Sequence, residues 1–413
     1  MVTPSTSARK ALQTTLEVPA LRRKYYAQTL DDSKKGKKVA WCSNNIPAEI
    51  LDAMDVTAVF LENYATVIAA KKLASAYCIA GEKMGFSPDV CGYARMLMGY
   101  ILARNEVPEA PYGGLAKPDF LLVNSYSCDS RLGWFSAMSR TLNIPLHVHD
   151  APHQPDGACD LVHYAAYTEG ELRNLVAFLE EQTGTKFNPD RLRQRLALSR
   201  QTSDIMFEIN ELRKAVPCPM GSADMFTAVW PAMYMAGTKE CEDFYNRLRA
   251  EVEERIAKKI GVVPEEKFRL MWSGIPFWYN MNLLNYVEDF GGVVVIEGFY
   301  RARERRLPAQ DADPIRDMAL SSTRQRGYSG GIAGSIDDLL DAVKEYHIDG
   351  VVLSFNPSCR LSYVSQGELQ RAVEDRGVAT LGLECDMADE RTYSEGQVKT
   401  RLDAFVERLL AKK

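Results

Sequence analysis

Short apolar runs bounded by turn residues alternate with longer stretches of helical periodicity along this chain, the pattern of a parallel sheet covered by helices. The runs KVAWC (38–42), VTAVFL (56–61), DFLLVNS (119–125) and IPLHVH (144–149) read as strands. Helices are predicted between them over Pro47–Met54, Ala65–Met84 and Arg131–Leu142. From Thr168 to about Lys259 the pattern is almost wholly helical, interrupted at VPCPMG (216–221). Strands then resume as FRLMWS (268–273), GVVVIEG (292–298), DGVVLSFN (349–356) and VATLGLE (378–384).

The two strand series align with one another. Trp41 and Trp272 close the first strand of each, and each is followed by a turn and Ile-Pro, Ile46-Pro47 and Ile275-Pro276. The third strand of each ends in an asparagine-containing turn with a cysteine, Cys128 or Cys359, 87 residues after its tryptophan in both cases. The fourth closes near Asp150 or Asp386. The expected fold class is α/β: two similar doubly wound parallel-sheet lobes, an internal duplication, joined by a helical segment around a cleft. The expected boundaries are an N-terminal helical extension over 1–36, a first lobe over 37–166, the helical segment over 167–262 and a second lobe over 263–413.

Composition then removes several functions. Among 413 residues, 50 Lys and Arg face 55 Asp and Glu for a net charge of -5, with no basic stripe, which argues against nucleic acid. No apolar stretch reaches the roughly 20 residues of a membrane helix, and the best candidate, Ala223–Gly237, contains Pro231. The opening MVTPSTSARKALQ lacks the apolar core of a secretory signal, so a cytoplasmic protein is expected. Nine cysteines without a C-x-x-C pair fit a reducing compartment and argue against a zinc ribbon, a thioredoxin-like site and a compact ferredoxin site.

In open parallel sheets, ligands gather beyond the carboxyl ends of the strands. Cys128 and Cys359 fall there, and Cys91, in VCGYAR, follows Pro88 and a break in the helical pattern. Three thiolates meeting in a cleft could hold an iron–sulfur cluster with one iron open, or a catalytic zinc. They could instead be small buried fillers, the reading preferred for Cys78, Cys159 and Cys241 and favoured for Cys218 and Cys385. His147, His149 and His153 with Asp150 have metal-compatible spacing, against a bland role in interface contacts. SGGIAGS (329–335), near Arg324 and Arg326, could receive a phosphate on its backbone amides or be a plain connection. Trp272, Phe277 and Trp278 could be core residues or walls of a pocket.

WCSNNIPAEI, LEN (61–63), DVCGYAR (89–95), PDFLLVNSYSCD (118–129), NPSCRL (356–361) and DMADERTYSEGQVKTRL together resemble the 2-hydroxyacyl-CoA dehydratases, within the superfamily that includes benzoyl-CoA reductase subunits. The likeness is to the larger, substrate-binding (alpha) subunit of the phenyllactyl- and 2-hydroxyisocaproyl-CoA enzymes and runs from about 38 to about 405. It implies that Cys91, Cys128 and Cys359 ligate one 4Fe-4S cluster whose fourth iron is open to water or substrate. It implies radical dehydration of an (R)-2-hydroxyacyl-CoA to the 2-enoyl-CoA through a ketyl, with Glu62 handling a proton beside the cluster. A glutamate at that place could instead cap the helix that follows. Related subunits carry serine where this chain has Asn44, so Asn44 or the neighbouring Ser43 is implied at the open iron. The implied partners are a smaller homologous beta subunit with its own 4Fe-4S cluster, an ATP-dependent iron–sulfur activator and the CoA thioester. The alternatives are a benzoyl-CoA-reductase-like subunit, an electron-transfer cluster subunit without substrate, and a metal-free two-lobed binding protein.

Overall fold

Each of the eight strand predictions corresponds to a strand in the computed structural model, which describes residues 9–103, 109–126, 128–152, 161–298, 301, 311–322 and 331–412. The first four strands, β1 (Val39–Cys42), β2 (Thr57–Phe60), β3 (Phe120–Asn124) and β4 (Leu146–His149), form a parallel sheet in the order β2-β1-β3-β4. The last four, β5 (Phe268–Ser273), β6 (Gly292–Glu297), β7 (Gly350–Phe355) and β8 (Ala379–Glu384), form a second parallel sheet in the order β6-β5-β7-β8. Renumbering the second sheet from its own first strand gives the order of the first, so the repeat read from tryptophan and cysteine spacing is a repeat of topology.

The central strands β1, β3, β5 and β7 are apolar almost throughout because helices cover both faces of each sheet. LHVH of β4 mixes apolar with polar residues and lies at a sheet edge, where one side needs less cover. In both sheets the chain leaves the first strand toward one neighbour and returns on the other side for the third. The loops after β1 and β3 therefore diverge and open a crevice at the carboxyl edge, as do the loops after β5 and β7. Asn44 and Cys128 occupy the first crevice; Ile275 and Cys359 occupy the second. Gly274, at φ +102°, lets the chain turn off β5 against Ser354, whose carbonyl oxygen would lie 3.0 Å from any Cβ there.

Fifteen helices fill the intervals among the described residues. In the first half these are α1 (Val18–Lys34), α2 (Ala48–Ala53), α3 (Leu61–Ala70), α4 (Ala74–Lys83), α5 (Gly92–Leu102) and α6 (Asp129–Leu142). The single helix predicted over Ala65–Met84 is thus two helices. Lys72 takes a left-handed turn at φ +57° between them, a conformation usually signalled by glycine or asparagine, so the sequence carried no visible stop. α6 begins two residues earlier than predicted, directly after Cys128.

The middle of the chain supplies α7 (Leu161–Thr183), α8 (Pro189–Leu212), α9 (Ser222–Tyr234) and α10 (Lys239–Ala257), with the break at 216–221 between α8 and α9. α9 continues through Pro231, so that proline does not end the helix. The rest are α11 (Pro314–Ser322), α12 (Ile332–Glu345), α13 (Arg360–Tyr363), α14 (Gln366–Glu374) and α15 (Glu395–Leu410). Helix α1 packs on α9 and on β2, and a 3-10 segment over Trp278–Phe290 packs on α3. The wholly buried Arg213, at the end of α8, pairs through both Nη atoms at 2.9 Å with Glu297 of β6. This two-point contact fixes the helical segment on the second sheet. Among the described residues no helix is long and apolar enough to cross a membrane.

Candidate active site

The two crevices share one cavity of about 110 Å³. Cys91, Cys128 and Cys359 all line it, together with Asn44, Glu62, Arg131 and Arg22. Its apolar wall includes Trp134, Phe226, Trp230, Met233, Trp278 and Met387.

The three cysteines share a local setting that their sequence contexts only hint at. Each is the N-cap residue of a helix, Cys91 of α5, Cys128 of α6 and Cys359 of the short α13, and none of these helices has a side-chain cap. Their sulfurs are left available to the cavity, and at α5 and α6 the helix end favours negative charge there. Burial, followed by the charges of Cys359 and Cys128, pushes the Cys91 thiol well above its usual range. Burial likewise raises Cys359, with a contribution from Cys128. Cys91 and Cys359 therefore lie close enough to the neighbouring thiols for their charges to oppose ionisation of these two, a cost that a shared cationic iron–sulfide core would offset. Among the described residues no three His, Cys, Asp or Glu side chains form a group able to hold a single metal ion. Cysteines spread around a cavity suit a multi-iron core, whose irons take their ligands at separate corners, and in this respect the donor set fits a cluster.

Contacts of residues adjoining the cysteines hold the loops together. The Gly92 N–H donates to Ser358 Oγ at 3.2 Å, joining the Cys91 loop to the Cys359 loop. A Cβ on Gly92 would sit 2.8 Å from Asp386 Oδ1, so any larger residue there would have to displace a carboxylate that the Ala388 and Asp389 N–H groups hold at 2.8 and 2.9 Å. Arg95, one turn into α5 and only 2% exposed, reaches Glu82 at 2.6 Å, Asp389 at 2.8 Å and Asp386 at 3.6 Å. Its Nε donates to Val90 O at 2.9 Å, so the same side chain ties the segment before Cys91 to the loop after β8.

Glu62 opens α3 without capping it; the alternative of a capping glutamate is not what the structure contains. One carboxylate oxygen accepts the Asn44 backbone N–H at 3.0 Å, and the other lies 2.8 Å from Arg131 Nε. Arg131 stands three residues beyond Cys128 and also donates to Asn124 Oδ1 at 2.9 Å. Asn44 lines the cavity, its Oδ1 accepting from Tyr234 Oη at 3.3 Å. Ser43 is fully buried and does not line the cavity; its Oγ accepts from Asn124 N and Nδ2, both at 3.1 Å. Ser43 thus shapes the turn, while Asn44 faces the space.

The remaining candidates separate clearly. Trp278 lines the cavity and hydrogen-bonds Tyr93 Oη, whereas Trp272 and Phe277 lie in the apolar core of the second lobe, where the core reading of this stretch puts them. Cys78, Cys218, Cys241 and Cys385 are buried away from the cavity, and Cys159 lies outside the described residues. His147 stacks on Phe178 with centroids 5.0 Å apart, His149 is buried, and Asp150 accepts from Tyr167 Oη at 2.5 Å; His153 lies outside the described residues. Of SGGIAGS, Gly331 precedes α12 and is not at the cavity, while Arg324 and Arg326 lie outside the described residues. Sequence reading passed over Arg131 and Arg22. Arg131 carried the signal of its spacing from Cys128; Arg22, in the N-terminal helix, carried none.

The family model described as 2-hydroxyglutaryl-CoA dehydratase, D-component, matches residues 43–409. The (R)-phenyllactyl-CoA dehydratase alpha subunit of Clostridium sporogenes is 28% identical over 93% of this chain and 92% of its own length. The (R)-2-hydroxyisocaproyl-CoA dehydratase alpha subunit of Clostridioides difficile is also 28% identical, over 92% of both chains. A benzoyl-CoA reductase subunit of Thauera aromatica is 26% identical over 92% of this chain and 90% of its own. Among solved structures, one titled "Nitrogenase Cp1 at pH 6.5" matches at 12% identity and a TM-score of 0.20, with this chain spanning 60% of its length, too distant a likeness to carry an argument. Matched from the turn after β1 to the last helix, with the cavity residues inside the matched region except Arg22, this chain belongs to the 2-hydroxyglutaryl-CoA dehydratase D-component family.

Proposed function

We propose that this chain is the cluster-bearing, substrate-binding subunit of an (R)-2-hydroxyacyl-CoA dehydratase that forms the 2-enoyl-CoA, with Cys91, Cys128 and Cys359 holding a 4Fe-4S cluster. The observation that carries the reading is one cavity lined by three N-cap cysteines from three helices together with Glu62 and Asn44. The reaction removes a C2 hydroxyl and a C3 proton that is not acidic in the ground state, so water cannot leave by simple acid–base catalysis. When bound, the cluster would supply an open Lewis-acidic iron beside a thioester whose carbonyl is reduced by one electron to a ketyl, expelling hydroxide, with the electron recovered at the end.

The chain's own residues do the rest. Glu62, held by the Asn44 N–H and Arg131, is a carboxylate fixed in direction and placed to accept or return a proton at the reacting end of the substrate. The Asn44 side chain offers an amide donor in the position where related subunits have a hydroxyl, so it can hydrogen-bond the departing oxygen but cannot relay a proton. Trp278, Phe226 and Trp230 enclose the acyl group and exclude water. The reading includes a smaller homologous subunit with a second cluster and an ATP-driven iron–sulfur activator that injects the starting electron.

The test is iron and acid-labile sulfide content, with visible and EPR spectra, of anaerobically purified protein and of Cys91→Ser, Cys128→Ser and Cys359→Ser. About four irons per chain, reduced in each of these variants and retained in Cys78→Ser, are expected, followed by turnover of 2-hydroxyacyl-CoA thioesters with catalytic amounts of reductant. Folded wild-type protein that stays colourless after anaerobic reconstitution overturns the reading. Consumption of reductant in step with product points instead to a ring reductase of the benzoyl-CoA type.

A further inference from the structure

The helical segment reaches the reacting end of the cavity through the hydroxyl of Tyr234. This last residue of α9 lines the cavity and donates from Oη to Asn44 Oδ1 at 3.3 Å, across 190 positions of chain. Its ring packs with centroids 5.3 Å from Phe60 of β2 and 5.7 Å from Trp230, whose own Nε1 donates to Asn63 at 3.0 Å. The turn that carries Asn44 is pinned as well. The Ser43 N–H donates to Leu122 O at 2.9 Å, the Asn44 N–H donates to Glu62 at 3.0 Å, Asn124 Nδ2 donates to Asn44 O, and Tyr126 Oη donates to Asn45 O at 3.2 Å. With the turn fixed and Oδ1 engaged, Asn44 has its Nδ2 left to offer, and this donates to no acceptor among the described residues. The adjoining Glu62, only 4% exposed, shows the complement: its Oε1 meets Arg131 as an ion pair but accepts no hydrogen bond. One unmet donor beside one unmet acceptor in an enclosed cavity matches a hydroxyl group, which both accepts and donates.

We propose that Tyr234 is a positioning residue for the substrate's 2-hydroxyl: by engaging Oδ1 it turns the Asn44 amide so that Nδ2, and not the carbonyl, faces the ligand. This rests on the dehydratase reading above and adds to it a residue and a direction. An asparagine amide has a donor end and an acceptor end of nearly the same shape, so its place in the turn does not decide which end a ligand meets. A serine hydroxyl, as related subunits have there, rotates to suit its partner and needs no such fixing. With Asn44 in that place a fixed partner is required, and the Tyr234 hydroxyl is that partner. The 2-hydroxyl oxygen gains negative charge as it departs, so a donor already aimed at it needs no reorganisation, whereas the reversed amide would set a carbonyl oxygen against it.

The experiment compares (R)-2-hydroxyisocaproyl-CoA with isocaproyl-CoA, which differ only in the 2-hydroxyl, by calorimetry on the anaerobically purified holoenzyme without activator or reductant, so that no turnover occurs. The wild type is expected to bind the hydroxy thioester roughly tenfold more tightly. Tyr234→Phe is expected to cut that preference to about twofold or less. Isocaproyl-CoA affinity and iron content are expected to stay at their wild-type values, which also reports that the variant is folded. In an Asn44→Ala background, where there is no amide to turn, Tyr234→Phe is expected to make no further difference. A preference that survives Tyr234→Phe, or a loss as large in the Asn44→Ala background, overturns the inference. An equal loss for both thioesters assigns Tyr234 to the pocket wall and also overturns it. Equal affinities in the wild type show that the hydroxyl is not read at this place, which overturns the inference and leaves the dehydratase reading standing. If neither thioester binds the wild type, the thioester reading itself fails and takes this inference with it.

Discussion

The carboxylate of Asp129 lies 3.0 Å from Nη1 of Arg360, so the residues that directly follow Cys128 and Cys359 are ion-paired across the two lobes. Both side chains are largely exposed, and such a pair contributes at most about 1 kcal/mol to folding. Its larger consequence is local, because it couples two of the three cysteine-bearing helix starts. Asp129→Asn or Arg360→Gln is expected to leave the melting temperature nearly unchanged while speeding loss of iron to a chelator. Unchanged release kinetics would show that the pair plays no part in holding the loops.

Arg95 makes a different prediction, because its partners are buried. Arg95→Met leaves the 2%-exposed Asp386 without its cation and takes one of two from Asp389, and should cost about 2–3 kcal/mol in urea denaturation. Arg391 still contacts Asp389 and Glu82, so the loss should stay below that of a fully stranded pair. A loss under 1 kcal/mol would show that Arg95 is not the clamp between α5 and the loop after β8.

Glu62→Gln preserves an acceptor for the Asn44 N–H but removes the charge paired with Arg131. The expected outcome is a kcat about 10²- to 10⁴-fold lower, with iron content and thioester affinity close to wild type. Activity within a fewfold of wild type would remove Glu62 from the proton-transfer role.

Burial, followed by the neighbouring charge of His147, pushes His149 down from 6.5 to about 4. The unfolded chain therefore takes up this proton first as pH falls, and folding stability drops between pH 6.5 and about 4, by no more than about 1.4 kcal/mol per pH unit. His149→Asn should flatten the pH dependence of the melting temperature in that interval and leave it unaltered above pH 7. A slope identical to wild type would show that His149 does not control it.

Some of this was legible before any folding. Parallel strands buried on both faces must be short, continuous apolar runs, so KVAWC, DFLLVNS, FRLMWS and DGVVLSFN announced the central strands of both sheets. The matched 87-residue intervals carried the duplication, because two lobes with one topology need similar lengths of chain between equivalent strands. Strand order followed only loosely, since crossover direction is set by helix packing on the twisted sheet and not by local pattern.

The sequence by itself determined the fold class, the repeat and the positions from which Cys128 and Cys359 could reach a crevice, because these depend on periodicity and on strand ends. The sequence offered Cys91 as the third thiol, and tertiary structure supplied the contacts that bring it to the cavity, with α5 placed by Arg95 and by the close approach at Gly92. It also decided that Trp278 faces the cavity while Trp272 and Phe277 fill the core, and that Glu62 meets Arg131 across 69 positions of chain. Whether Tyr234 reaches Asn44 was likewise beyond the sequence. Long-range pairing is settled by which surfaces pack together, and that is fixed only once the whole chain has folded.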